Sequence, residues 1–492
     1  MEQSTQSEYP LHDSTIANPP RRKNRLFIGL GVLLVLAVGA WAYFYFVSQA
    51  AERRLQAALA ELDQAEPGWQ LGDLETGRTK EPDEANSALK VLALRALIPA
   101  NWPSPEMETA LQNLTPPHEL HPDQVKTLTP EMDKIKTALE DARKLKDFPN
   151  GRFPIVYDPN WIATLLPHVQ EARTVASLLA YDALWRARNE DINGAVQSCQ
   201  AGINVARSIG EEPFLISQLV RIACRAVALA RLEYVLGQGQ ASAPVLQDLQ
   251  RLLEREETEP IFLIAVRGER AGSHELMRTL KEGKITLAQI AGTPAPIGHL
   301  KIGTFNLGDF ILSIVSGPVS GQHTAMLQYM TQVVAIAKKP LEEQKPLFEK
   351  LESTIPDQPI LVKLLAPALV KVSEADRRSA AQLRCAIVML AAERYRLANQ
   401  RWPDSLDQLV PDCLLKIYLD PYDKNPLRLK RLEDGIVIYS VGPDGQDNGG
   451  NIDRTNPIAA GSDIGLRLWD PQRRRQKPLE PPKDPNAVPA DK

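Results

Sequence analysis

Side chains able to do chemistry are few and scattered in this chain, with seven histidines and four cysteines among 492 residues. His118 and His121 stand three apart in the stretch TPPHELHPD. A zinc site asks for three or four ligands, and with no third nearby in sequence the pair reads as surface polar residues. His274 stands beside Glu275, but neighbours on a helix point in different directions, so both read as solvated rather than as an acid–base pair. Glu269-Arg270 and Arg377-Arg378 read as surface charges or helix-face ion pairs. Gly-x-Ser-x-Gly, a phosphate loop ending in Lys-Ser or Lys-Thr, His-Glu-x-x-His and paired Cys-x-x-Cys are all absent, which argues against the commonest motif-bearing enzymes. A hydrolase with a site assembled from dispersed residues stays open as an alternative.

The cysteines carry a second possible chemistry. A turn near residue 211 puts Cys199 twelve residues before it and Cys224 thirteen after, at similar heights on adjacent antiparallel helices. A disulfide between them is expected if the compartment is oxidising, with Cys385 and Cys413 as a second pair. The alternative is four small buried thiols, since cysteine is among the most buried residue types.

These residues must be positioned by a mainly α chain. Its length exceeds the roughly 250 to 300 residues at which one core stops growing. A hydrophobic share of 43% and a charged share of 24% match globular usage, and a net charge of −4 supplies no basic field for nucleic acid. Residues 26–47 form an uncharged run of 22, close to the roughly 20 that cross a bilayer as a helix. Trp41, Tyr43 and Tyr45 crowd its far end, where such rings favour the headgroup level. Arg21, Arg22, Lys23 and Arg25 precede it, against Arg53 and Arg54 beyond, so the basic bias keeps residues 1–25 in the cytoplasm as a disordered tail and exports the rest. The rival is a cleaved signal peptide ending at Ser48-Gln49-Ala50, but the apolar run exceeds the usual 7 to 15 residue core.

Residues 48–370 read as an extracytoplasmic, mainly helical region. Leu55, Leu59 and Leu62 continue the anchor outward until Glu66-Pro67-Gly68-Trp69. Three helices follow, one ending near Arg188, one from Asp191 or Asn193 to Ser208, and one from Pro213 to Leu236. Asp191 and Asn193 can cap, Gly210 can stop a helix, and Pro213 suits a first turn. With Ala195, Cys199, Ile203 and Ala206 on one stripe, 168–236 weakly resembles a tetratricopeptide-type array, which implies a concave face for protein partners. No 34-residue repeat is present, and a plain bundle is the alternative. The apolar stretch 305–319 carries Asp309 and is broken by glycine and proline, so it reads as a buried segment or loop.

Residues 371–470 change character, from a helix ending at Trp402-Pro403 to strands such as GIVIYSVG at 435–442, and read as a small α+β domain of one helix and an antiparallel sheet. Residues 471–492, rich in proline, read as a disordered tail in which Arg473 to Arg475 form a solvated charge cluster. The order AAERYRLANQRWPDSLDQLVP, DPYDKNPLRL, IVIYSVGPDGQDNGG and SDI at 462–464 resembles the C-terminal domain of the major pseudopilin of type II secretion systems, over about a fifth of the chain. The resemblance implies a three-stranded sheet and a calcium-binding loop, with Asp444 and Asp463 at the family's aspartate positions and Asp447, Asn448 and Asp453 between them. Calcium takes six to eight oxygen ligands, but Asp, Asn and Gly equally build plain exposed turns. A pseudopilin's own leader and Phe-Thr-Leu-Ile-Glu start are missing, so the unit reads as borrowed into another architecture. Together these features lead to an expected single-pass protein of the bacterial inner membrane, with its C-terminal region periplasmic or extracytoplasmic. It would be an interaction or scaffold protein, or alternatively an accessory component of a type II secretion-like system.

Overall fold

The computed structural model describes residues 22–112, 114–158, 160–285, 301–302, 305–306 and 318–479. Residues 1–21 and 480–492 of the expected tails, and 307–317 of the apolar stretch, lie outside the described residues. Helix α1 (Arg22–Ala65) runs unbroken for 44 residues. No residue of its apolar window is buried, so it is long and apolar enough to be a single-pass anchor. Beyond the apolar run the helix enters the protein: Leu55 and Leu62 are buried, and Leu62 packs with Trp69 and Leu327.

Short helices α2 (Leu71–Gly77), α3 (Ser87–Arg95), α4 (Pro105–Ala110), α5 (Pro122–Lys134) and α6 (Lys136–Ala142) lead to α7 (Pro167–Arg188), α8 (Ile192–Arg207) and α9 (Leu215–Gln238). These last three pack on one another in the order expected. Asp191 accepts the Gly194 N–H at 2.9 Å and so starts α8. Gly210 (φ +61°) ends the following turn so close to the Gly151 carbonyl that no side chain fits. Helices α10 (Ala243–Glu257) and α11 (Ile261–Lys281) follow, then a two-residue ladder of β1 (Lys301–Ile302) with β2 (Phe305–Asn306). Next come α12 (Val319–Ala337), α13 (Leu341–Glu352) and the 40-residue α14 (Ile360–Asn399). In α11 a Cβ on Gly268 would meet the Pro213 carbonyl oxygen at 1.9 Å, so this helix seats directly on the turn before α9.

The chain closes with β3 (Arg428–Leu432), β4 (Gly435–Ser440) and β5 (Ile464–Trp469), an antiparallel sheet in that order. Central β4 pairs Val437 with Lys430 on one side and Arg467 on the other, and all six of its residues are buried. The helix expected before the sheet starts earlier than residue 371, and the expected boundary falls inside α14. From Cys385 to Ala392 every α14 residue is fully buried. One face meets α9 and α10, another meets the sheet, and a single core cluster runs through all of them. A helix enclosed on all sides is apolar on all sides, as CAIVMLAA is.

The start of the expected disordered tail is instead a clasp. Arg474 makes two 2.8 Å bonds to fully buried Glu393, Arg475 donates its N–H to Gly237 O, and Gln476 exchanges backbone bonds with Pro117 and Glu119. Arg474 is 6% exposed, so the solvated-cluster reading fails for it: a carboxylate held inside the core draws its counter-ion in.

Candidate functional site

The loop from Val441 to Asp463 brings four of the five expected ligand residues together. Asp444 accepts N–H groups from Gln446 and Gly461, each at 3.0 Å, and the Asn448 amide at 3.3 Å. Asp463 is fully buried and accepts the Asn448 and Gly450 N–H groups at 3.2 and 2.7 Å. Asp447 accepts the Tyr439 hydroxyl and the Gly449 N–H. Asp453 instead spends one oxygen on Thr455 and Asn456 of its own turn. Burial pushes the Asp463 carboxyl above its usual range, and the Asp447 charge acts in the same direction. Among the described residues no three carboxylate, imidazole or thiol groups converge as metal ligands. In this arrangement the aspartate oxygens are turned onto the loop's own N–H groups, the Asx-turn alternative to the cation that the resemblance implies. Asp420, which opens the segment DPYDKNPLRL, is the residue that fixes the start of the loop. It is fully buried and accepts from Ser440 Oγ, Val441 N and Arg428.

A second polar group lies where α1 meets the body. Glu52 accepts from Lys281 at 2.7 Å and Ser320 at 2.6 Å, and the hydrogen bonds from Lys281, Ser320 and Gln56 hold its carboxyl down at about 2. Fourteen residues on, Glu66 pairs with Arg270 and Lys338. Between these levels His274 Nδ1 lies 3.0 Å from His323 Nε2, and the Trp69 ring stands edge-on to His274. Burial pushes His323 down to about 3, with His274 adding to the effect, so the imidazoles are neutral and share one hydrogen bond. Two sequence expectations are corrected here. Arg270 is buried against Glu66, and Glu269 is half-buried and accepts the Leu215 N–H at 2.9 Å, because α11 is covered on both faces. His274 pairs with a histidine 49 residues away and is part-buried instead of solvated.

The most charged interior lies between α8, α9 and α10, and sequence reasoning missed it. Buried Glu256 takes Arg207 at 2.7 Å, Arg221 at 2.6 Å and Arg225 at 3.2 Å. The signal was present in α9, where Arg221 and Arg225 stand four apart in the otherwise apolar stretch 219–230. His168 bonds Glu212 at 2.9 Å beneath the Phe153 ring, but among the described residues no serine or cysteine is hydrogen-bonded to a histidine. His121 caps α5, and His118 bonds the Lys477 carbonyl, so both serve structure.

All four cysteines are free thiols, so the expected Cys199–Cys224 bridge is not formed, nor is one between Cys385 and Cys413. Cys199 faces the core shared with α14, whereas Cys224 faces the cluster beneath α3 and α7. Burial pushes both thiols up to about 12. A groove of about 920 Å³ lies between α10 and the 415–418 segment, lined by Asp248, Arg251, Glu254 and Arg255 with Leu415 87% exposed at its edge. Compared with protein-family models, curated proteins and solved structures, the chain matches none.

Proposed function

We propose that this protein is a membrane-tethered scaffold of the bacterial envelope, which holds its helical body and pseudopilin-like C-terminal unit outside the cytoplasm for protein partners. The observation that carries this reading is the way α1 leaves the apolar run. It continues as the same helix into the body, where Glu52, Leu55, Leu62 and Glu66 are each engaged. Such a joint transmits position from membrane to body, as a tether needs and a free enzyme does not. The long groove beside Leu415 is a mixed-charge surface with an exposed apolar edge, which suits a protein contact better than a small polar substrate.

Fusions of alkaline phosphatase and of green fluorescent protein to the C-terminal end, in a bacterial host, test the reading. Active phosphatase with dark fluorescent protein is expected; the reverse pattern would overturn it. A photo-crosslinker at Leu415 is expected to give a discrete larger species in membranes of the native host. Loss of that species on replacing Arg251 and Arg255 with Glu ties the contact to the groove. A pattern untouched by the charge change removes the groove from the proposal.

A further inference from the structure

Four contacts fix how the body stands against α1. Helix α11 runs antiparallel to α1, since Arg270 meets Glu66 at the far end and Lys281 meets Glu52 near the membrane. Helix α12 runs parallel to α1, starting with Ser320 on Glu52 and ending beside Lys338 on Glu66. Because α1 is one unbroken helix, height above the membrane is read from residue number. Glu52 is five residues past Val47, the end of the apolar run. At about 1.5 Å per residue it stands roughly 7 to 8 Å beyond the hydrocarbon edge. That is the outer part of the headgroup layer, which occupies about 5 to 8 Å on each side of a bilayer core of about 30 Å. Helix α11 is still descending at Lys281, and Lys284 and Ile285 follow it. Ile285 is buried against Leu276, Leu280 and Trp161, so this end of the chain is fastened to the body.

We propose that this foot is a second membrane contact, in which Arg53, Arg54, Lys281 and Lys284 lie in the headgroup layer and bind lipid phosphates. The inference rests on the reading of α1 as a membrane span. Arg53 and Arg54 are exposed, on the turn that carries Glu52, and have no acidic partner among the described residues. A guanidinium offers forked donors that match a phosphate, and the ammonium groups of Lys281 and Lys284 have donors beyond those given to Glu52 and Glu282. The partner is the membrane that the anchor already enters, so the contact continues an existing one and needs no separate encounter. With it, the body stands on the bilayer at two places instead of swinging on one helix.

The test uses the full chain in nanodiscs of phosphatidylcholine with phosphatidylglycerol, in a Cys413→Ala background that leaves only buried native thiols. An environment-sensitive fluorophore is placed singly at Leu33→Cys, Lys284→Cys or Lys339→Cys, and quenching is read from a lipid mixture carrying nitroxides both at the headgroup and along the acyl chain. Lys339 adjoins Lys338 at the Glu66 level and is the water-exposed control. Strong quenching at 33 and 284, and none at 339, is expected. Quenching at 33 with 284 behaving like 339 overturns the foot and leaves the span standing. No quenching at 33 overturns the span and the foot with it. Arg53→Glu with Arg54→Glu is expected to lower quenching at 284 severalfold, and an unchanged signal overturns the phosphate contact.

Discussion

At the scale of single residues, the protein's most consequential chemistry is the enclosure of charge. Glu256 is fully enclosed by three arginines, with Nη1 of Arg207 and Nη2 of Arg221 on one oxygen and Arg225 on the other. Burial alone would raise its carboxyl, but the charges of Arg221 and Arg225 win and hold it at about 2. A carboxylate depressed in the folded state contributes stability that is complete above its unfolded value near 4.5 and is lost as pH falls towards 2. Replacing it would leave Arg221 and Arg225 buried without their counter-ion, which costs about 3 to 5 kcal/mol for a broken buried pair. Glu256→Gln is therefore expected to lower the urea midpoint strongly at pH 7. The gap to wild type should narrow between pH 4.5 and 2.5, as the unfolded chain's carboxyl takes up a proton that the folded one still refuses. A deficit of constant size across that window would mean that shape, not charge, explains the loss.

At the scale of elements, much was legible because helix ends are written locally. Asp191, Gly210 and the glycines bounding GIVIYS mark their elements by backbone chemistry that no distant contact alters. What could not be read was which face each helix turns inward. Glu269, Arg270 and Arg474 look like surface charges until α1, α12 and the sheet are in place, because only tertiary contacts provide their partners. The loop 441–463 shows the same limit within the site. Its aspartates were found from sequence, yet whether they turn towards a cation or towards the loop's own N–H groups depends on the loop's path. Because both oxygens of Asp463 already accept backbone N–H groups, the loop holds itself together. Asp463→Asn would set an NH2 against one of those donors, for an expected loss of about 1 to 3 kcal/mol from the buried group left unsatisfied. Millimolar calcium is expected to leave the melting temperature of the wild type unchanged, because only a ligand that binds the folded state raises it. A chelator-reversible rise that disappears in Asp463→Asn would show the loop rebuilding itself around the ion.

At the scale of the whole molecule, the C-terminal unit is joined to the helical region by a core that neither part can close alone. Leu383 to Ala392 of α14 share one cluster with Leu229, Leu232 and Leu236 of α9 and Leu246, Leu249 and Leu253 of α10, while the sheet covers the remaining face. Arg454 extends the join, reaching Glu233 on α9 at 2.5 Å, and the clasp at 474–476 crosses to Gly237 and Pro117. A fragment of residues 371–479 keeps its sheet and the Glu393–Arg474 pair but exposes the side of α14 that α9 and α10 cover. Uncovering several leucine-sized side chains, at about 1.5 to 3 kcal/mol each, exceeds or matches the 5 to 15 kcal/mol net stability of an ordinary domain. The fragment is therefore expected to melt broadly and to bind a hydrophobic dye, whereas the full chain in detergent gives one cooperative transition for this shared core. Supplying residues 167–257 in trans should restore sharp melting, because it returns α9 and α10 to their places. If the fragment alone melts cooperatively, with exchange-protected amides in β4, then the unit is an autonomous domain and the shared core is only a contact between two finished parts.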